Sequence, residues 1–417
     1  MEETPTILII GYVWPEPSSS AAGTRMMQLI SIFQDAGWEI TFASSSAESE
    51  HMADLETRGI KTEAVEINRS TFDSFIQELQ PDIVMFDRFV VEEQFGWRVA
   101  EHAPDALRIL DTEDLHCLRR TRHEAVKQGS DFSDRDLLAS DVANREIASI
   151  YRCDLTLMIS EYEMELLTDL FGVDKSLLHY LPFLMDTIDE KTTERWPSFE
   201  ERKHFVTIGN FRHPPNWDSV RYLKEKIWPL IRKELPAAEL HIYGAYPSQK
   251  VTDLHMPGEG FYIEGRAEDA KEILGKGRVC LAPLRFGAGL KGKLVEAMQS
   301  GTPCITTSIG AEGINGDLEW NAVVVNNPVE ISAEAVHLYS DKTSWEKSQQ
   351  QGIDIVNSRF QKDDFELDLI ERVKSMGRNL ESHRLQNFTG HMLMHHTMAS
   401  TRYMSKWIEE KNRSKSS

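Results

Sequence analysis

The stretch that decides the reading runs from Ala282 to Ile314, APLRFGAGLKGKLVEAMQSGTPCITTSIGAEGI. The apolar run closing on Leu284 reads as a buried strand. KLVEAMQS further on has helical spacing and a glycine stop at Gly301. Between them lies FGAGLKG, residues 286–292, whose glycines at 287, 289 and 292 let the backbone come close to a ligand. The helix that follows, expected to begin near Leu290, presents unpaired N–H groups and the positive end of its dipole. Those features make an anion site before any side chain is counted. Lys291 and Lys293 add charge for phosphate oxygens, and Glu296, one turn further in, is placed to accept two hydrogen bonds from a ribose diol. The plain alternative is a tight strand-to-helix turn with a solvated lysine pair and a surface glutamate.

The same alternation extends outward. HFVTIGN (204–210), AELHIYGA (238–245), GFYIEGR (260–266), VCLAPL (279–284), PCITT (303–307) and NAVVVNN (321–327) read as strands, with helical patterns at 216–234, 268–275 and 330–341. In the first half, TILIIGY (6–12), WEITFASS (38–45), PDIVMFDR (81–88), ALRILDTED (106–114), CDLTLMIS (153–160) and LLHYLPF (177–183) are strand-like. Helices are expected at 25–37, 72–80 and 161–172, with a long polar helical region over about 115–150. Strands separated by helices of this length pair in parallel through right-handed crossovers. The expected class is therefore α/β, with two doubly wound, Rossmann-like domains facing a central cleft. Ligands of such sheets collect at the carboxyl ends of the strands. The expected boundaries are 1–185 for the first domain, a polar linker over 186–203, 204–360 for the second domain, and a polar helical tail over 361–417 that frays at its end.

Composition narrows the function. The chain has 417 residues and a net charge of −21, from 46 basic and 67 acidic residues. That balance argues against a nucleic-acid binder, which needs a positive field to displace counterions. A local basic loop still suits a small anion. The four cysteines form no CxxC pair, and buried free thiols in a reducing cytoplasm are expected. MEETPTILIIGY reads as a first strand rather than a signal peptide, and no apolar run reaches the ~18 residues of a membrane span. LRRTRHEAVK (118–127) is the one basic cluster of the first half; it suits an acidic acceptor, a peripheral membrane contact or a solvated helix face.

The second half resembles the second domain of GT-B glycosyltransferases of the family 4-like group. The resemblance rests on FVTIGNFRHPPNWDSVRYL (205–223), LHIYGAYP (240–247), YIEGRAED (262–269) and the stretch from Cys280 to Ile314. It implies that Glu296 holds the donor ribose and that Gly287, Gly289, Leu290, Lys291 and Lys293 hold the diphosphate. Gly265 and Arg266 would lie beside the nucleobase, and SIGAEG (308–313) would close over the donor. Two positions depart from the family pattern. Ala288 stands where members carry a first glutamate, eight residues before Glu296. The arginine–lysine pair that members place on the diphosphate is replaced by Asn210–Asn216, in which Arg212 is the candidate. FGAGLKGK looks like a variant branch in which Lys291 and Lys293 take over.

WPEPSSSAAGTRMMQLISIFQDAGWEITFASS (14–45) resembles the family's first loop and helix. The glycine near the reaction centre would be Gly23. Arg25 either reaches an anionic acceptor or is a solvated first-turn arginine. RILDTEDLHCLRRTR (108–122) occupies the place of the family's cleft histidine and offers Asp111, Asp114 and His116. Asp114 or His116 would orient the acceptor hydroxyl or take its proton, with Lys291 completing the catalytic set. The plain alternative is a capping carboxylate and a partly buried histidine. The resemblance implies a hexosyltransferase-type enzyme that moves a sugar from a UDP- or GDP-linked donor, with retention. The acceptor would be a glycan, lipid or small molecule, with no cofactor and no obligatory metal. It also implies that the tail braces the first domain. A nucleotide-sugar epimerase of the same architecture and a catalytically degenerate binding partner remain as alternatives.

Overall fold

The computed structural model describes residues 4–416. Seven parallel strands form the first sheet: β1 (Thr6–Gly11), β2 (Glu39–Ser44), β3 (Lys61–Ala64), β4 (Ile83–Asp87), β5 (Leu107–Asp111), β6 (Leu155–Met158) and β7 (Leu178–Tyr180). Their spatial order is β3-β2-β1-β4-β5-β6-β7. The second sheet holds β8 (His204–Ile208), β9 (Leu240–Tyr243), β10 (Phe261–Gly265), β11 (Gly277–Ala282), β12 (Cys304–Thr306) and β13 (Ala322–Val324). Its order is β10-β9-β8-β11-β12-β13, also parallel. In both sheets the order reverses beside the first strand, and a cleft opens there at the carboxyl ends. Central strands such as β4, IVMFD, are buried throughout because helices cover both faces, which is why they read as continuous apolar runs.

Two elements carry no sequence signal. β3, KTEA, is an edge strand with its side chains largely in solvent, so no apolar alternation marks it. The helix Phe89–His102 buries apolar residues around most of its circumference, together with Glu92 and Arg98. It is packed against the sheet and against the helices Thr71–Leu79, Asp141–Arg152 and Phe388–Ser416, so no single stripe faces a core. Glu92 pairs there with Arg152, and Arg98 with Asp73.

The polar run 186–203 is not a loose tether. Arg202 is 0% exposed and donates to the carbonyls of Pro197 (3.0 Å) and Ser300 (2.9 Å) and to Thr302 Oγ1 (2.5 Å). At residue 360 the chain crosses back: Met185 N–H donates to Phe360 O at 2.7 Å, and Lys362 N–H to Met185 O. The helix Lys362–Arg378 then sets Leu369, Val373 and Met376 into the first domain's core beside Ile7, Ile9 and Ile30. Arg384 clasps Asp154 with two bonds of 2.8 Å, and the last helix lies on the helices Phe89–His102 and Asp141–Arg152. Structurally, the described residues from Lys362 onward pack on the first domain. Helix continues to Ser416, and residue 417 lies outside the described residues. All four cysteines are free and buried. Among the described residues no helix is long and apolar enough to cross a membrane.

Candidate functional site

The first domain's side of the cleft is built where β4 and β5 end. Two non-glycine residues there take left-handed backbone, Arg88 (φ 75°) and Glu113 (φ 62°), and Arg88 N–H donates to Asp111 O at 2.7 Å. Such conformations are costly and persist where the surroundings impose them, often at functional sites. The segment that follows β5 carries Glu113, Asp114 and His116 in succession. Burial and the neighbouring Asp111 push the Glu113 carboxyl up to about 8. Burial alone would also raise Asp114, but Arg119, His116 and His213 hold it down to about 2. Arg119 Nε lies 2.8 Å and His116 Nε2 3.5 Å from its carboxylate. Burial depresses His116 to about 3 despite Asp114, and His213, reaching in from the second domain, falls to about 3 for the same reason. At neutral pH the cleft therefore presents a protonated Glu113, an ionised Asp114 and neutral imidazoles.

Arg25 does not open onto this cleft. It is 1% exposed, donates to Asp111 Oδ1 from Nε (3.1 Å) and Nη2 (2.9 Å), and donates to Leu181 O at 2.6 Å. The expected acceptor contact is corrected: a buried guanidinium must find buried acceptors, and these are β5's last carboxylate and the backbone carbonyls just beyond β7. Asp111 is likewise fully buried and positions the loop rather than touching a ligand. Gly23 answers its own loop. A Cβ there would lie 2.3 Å from Glu16 O, so the glycine lets that loop fold over the start of the helix Ala21–Asp35. Glu16 then accepts Tyr246 Oη of the second domain at 2.9 and 2.8 Å.

On the second domain's side, the helix Gly292–Gln299 begins one turn before Glu296, with Lys291 at its N-cap. Lys293 Nζ donates to Asn216 Oδ1 at 2.7 Å, and burial lowers its pKa to about 8. A Cβ on Gly209 would lie 2.8 Å from that Nζ, and one on Gly244 would lie 2.2 Å from Gly209 O, so two strand ends close in tightly here. The Glu296 carboxylate has no hydrogen-bond partner among the described residues. Burial raises its pKa against the pull of Lys271 and Lys293. Gly265 has φ 79° with open space where a Cβ would stand. Arg266 Nη2 donates to Ser18 Oγ at 2.7 Å, and the exposed Arg212 stacks its guanidinium 3.6 Å over the Tyr246 ring. Lys293, Glu296, Gly265 and the 266–271 turn thus share one end of the sheet.

The glycine loop itself is the seam between the domains. Gly289 N–H donates to Glu163 Oε1 of the first domain at 2.7 Å, and a Cβ on Gly289 would lie 2.8 Å from Asp114 Cβ. Gly287 O accepts Arg122 Nη1 at 3.0 Å, and Arg122 clasps Glu312 of the SIGAEG turn at 2.8 and 2.7 Å. Leu290 is buried in a cluster with Ile159 and Phe183 of the first domain, and Lys291, 8% exposed, donates to Gly289 O at 2.7 Å. Gly287, Gly289, Leu290 and Lys291 are therefore occupied by the closed seam rather than open to an anion. The helix begins at Gly292, not near Leu290. Within the basic cluster 118–127, Arg119 pairs with Asp114 and Arg122 with Glu312, while Lys127 pairs with Glu124 in solvent and Arg120 is exposed.

No curated protein matches the chain. Residues 202–341, covering most of the second domain, match the family described as glycosyl transferases group 1. Among solved structures, sucrose-phosphate synthase from Thermosynechococcus elongatus aligns with a TM-score of 0.64 at 13% identity, over 89% of this chain and 99% of that one. Anabaena Alr3699/HepE in complex with UDP and glucose aligns at 0.63 and 13%, over 88% and 99%. The fold is GT-B. A Staphylococcus aureus TarM mutant in complex with fondaparinux, α-GlcNAc-glycerol and UDP aligns at 0.55 and 12%, over 73% of this chain, which spans only 58% of that one. Identities this low speak to the fold alone.

Three cleft residues of this GT-B chain escaped the sequence reading. Glu163 is one of three glutamates in the helix Glu161–Asp169, and nothing local separates it from a solvated neighbour. Glu113 sits inside DTEDLH, where nothing local separates it from Asp111 and Asp114, and its left-handed backbone is visible only in three dimensions. Arg88 does carry a signal, since it directly follows the apolar strand IVMFD at its carboxyl end.

Burial raises Glu163 to about 8, against backbone N–H groups of Leu115 and Gly289 that lower it. Between about pH 4.5 and 8 the folded chain keeps this proton while the unfolded chain has lost it, so stability falls as pH rises across that window. Glu163→Gln keeps the acceptor oxygen and removes the titration. Its melting temperature is expected to vary less between pH 5 and 9 than the wild type's. Parallel curves for the two proteins would refute a protonated Glu163 at the seam.

Proposed function

We propose that the chain is a glycosyltransferase that takes a UDP- or GDP-linked sugar on its second domain and transfers the sugar to an acceptor held by the first. The observation that carries this reading is Glu296. It is an unpartnered carboxylate one turn into a helix, beside Lys293, at the carboxyl edge of a domain that matches glycosyl transferases group 1. Glu296 would take the ribose diol. Lys293, with Arg212 nearby, would meet the diphosphate charge that develops as the bond to the sugar breaks. The seam loop must part from Glu163 for the donor's sugar to reach Asp114 and His116. Reclosure around it would exclude water. Ionised Asp114 orients neutral His116 toward the acceptor hydroxyl, and Ala288 leaves the transferred sugar without the carboxylate contact that the resemblance leads one to expect. Retention of configuration and independence from metal belong to the same proposal, as does residence in a reducing compartment, which suits four free thiols.

The first test is a thermal-shift panel of UDP, GDP, ADP and their sugar conjugates, with and without EDTA, followed by product analysis. Ligand binding to the native state raises the melting temperature by mass action. A rise with one nucleotide family, unchanged by EDTA, is expected; no rise with any would sink the proposal. Diphosphate affinity is also expected to fall above pH ~8 as Lys293 loses its proton, and Lys293→Arg should remove that pH dependence.

A second reading is favoured by one observation. Burial and Asp111 push the Glu113 carboxyl up while Arg119 holds the adjacent Asp114 down, the divergence of two carboxyls that acid–base chemistry on a sugar would use. A nucleotide-sugar epimerase would convert its donor with no acceptor present, and chromatography of the nucleotide-sugar separates the two.

A further inference from the structure

On the far side of the second domain, where β8 and β9 begin, three side chains from neighbouring strands converge. His204 opens β8, Glu239 stands just before β9, and His241 is the second residue of β9. His204 Nδ1 lies 3.2 Å and His241 Nε2 3.4 Å from the same oxygen, Glu239 Oε2. All three ligand atoms lie within 4.8 Å of one another, and the residues are half-buried. With Zn–N and Zn–O bonds of about 2.0–2.2 Å, the ligand atoms of a tetrahedral zinc stand roughly 3.3 Å apart. The two pairs that share Glu239 Oε2 already have that spacing.

The surroundings bear on the tautomer. His241 Nδ1 is 2.6 Å from Glu264 Oε1 on β10. When that ring donates its Nδ1–H to Glu264, its Nε2 lone pair is left on the side of Glu239 Oε2, the face a zinc ion would take. Metal-bound histidines are commonly held in this way, with the second ring nitrogen donating to a carboxylate. Tyr262 fixes both partners, stacking on the His241 ring (4.8 Å, 6°) and donating to Glu239 Oε1 at 3.3 Å.

We propose that His204, Glu239 and His241 bind one zinc ion, with Glu264 as the positioning carboxylate behind His241. The site lies at the amino-terminal ends of β8 and β9, away from the cleft. It ties β8 to β9, and through Glu264 to the edge strand β10, and takes no part in sugar transfer.

The full-length protein, stripped with chelator and dialysed against Zn(II) alone, is expected to retain one equivalent by elemental analysis. Co(II) in its place should show the strong visible bands of four-coordinate geometry. His204→Ala and His241→Ala should each abolish stoichiometric retention while leaving the melting temperature of the chelated protein close to wild type. Glu264→Gln should weaken zinc affinity about 10–100-fold without abolishing it. No stoichiometric zinc in the wild type, or an equivalent retained by both histidine variants, would overturn the proposal and reduce the cluster to hydrogen-bonded surface histidines on an acidic chain.

Discussion

Arg25→Ala is expected to destabilise the protein by about 3–5 kcal/mol, the range for removing one partner of a buried ion pair. The guanidinium is the principal neutralising partner of Asp111, which is 0% exposed and whose Oδ2 already lacks a hydrogen bond. Without it an anion is stranded beneath the cleft, and the carbonyls of Leu181 and Pro182 lose their donor. For a domain of this size the loss corresponds to a fall in melting temperature of roughly 6–20 °C. The double variant Arg25→Ala/Asp111→Ala should recover part of it, because the uncompensated charge leaves with its partner. A single variant melting within a degree or two of the wild type would show that Asp111 finds other partners and that the pair does not hold β5 to β7. Activity alone would not make that distinction, since the same pair supports the loop carrying Asp114.

Glu296→Ala is expected to remove donor binding with little effect on folding. A carboxylate accepting two hydrogen bonds from a diol contributes about 1.5–3 kcal/mol for each. Losing both predicts about 10²–10⁴-fold weaker affinity for the nucleotide. Stability should hold or improve slightly, because the carboxylate is unpartnered and burial already disfavours its charge. Calorimetric titration of the nucleotide identified by the thermal-shift panel checks both parts. Glu296→Gln, which keeps shape and accepts one bond, should fall between alanine and wild type. Affinity unchanged in the alanine variant would remove the ribose assignment while leaving the fold untouched.

How far each feature was legible follows from the range of the interaction behind it. TILIIG and IVMFD report strands because helices cover both faces of the sheet, and that burial is written as an unbroken apolar run. KTEA reports nothing because an edge strand in solvent needs no apolar face. The positions of Lys293 and Glu296 in the first turns of a helix were legible because a helix start and a one-turn spacing are local facts. Lys291, two residues earlier and equally basic, lies buried against the first domain. Its environment is set by Glu163 and Arg122, more than 120 residues away in the chain.

The sequence by itself determined two parallel α/β sheets, the turn between β11 and its helix, and the residue types at the carboxyl ends of the strands. Periodicity, glycine and helix-terminal chemistry act over a few residues and need no partner to be read. Only the tertiary structure decided which charges are spent and which are free. Arg25, Arg122 and Glu163 are locked into the seam and the core, whereas Glu296 remains unpartnered. Burial makes an unpaired charge costly, so Arg25 and Arg122 take complementary groups that lie near them only in space, and no local pattern in the chain records which groups those are.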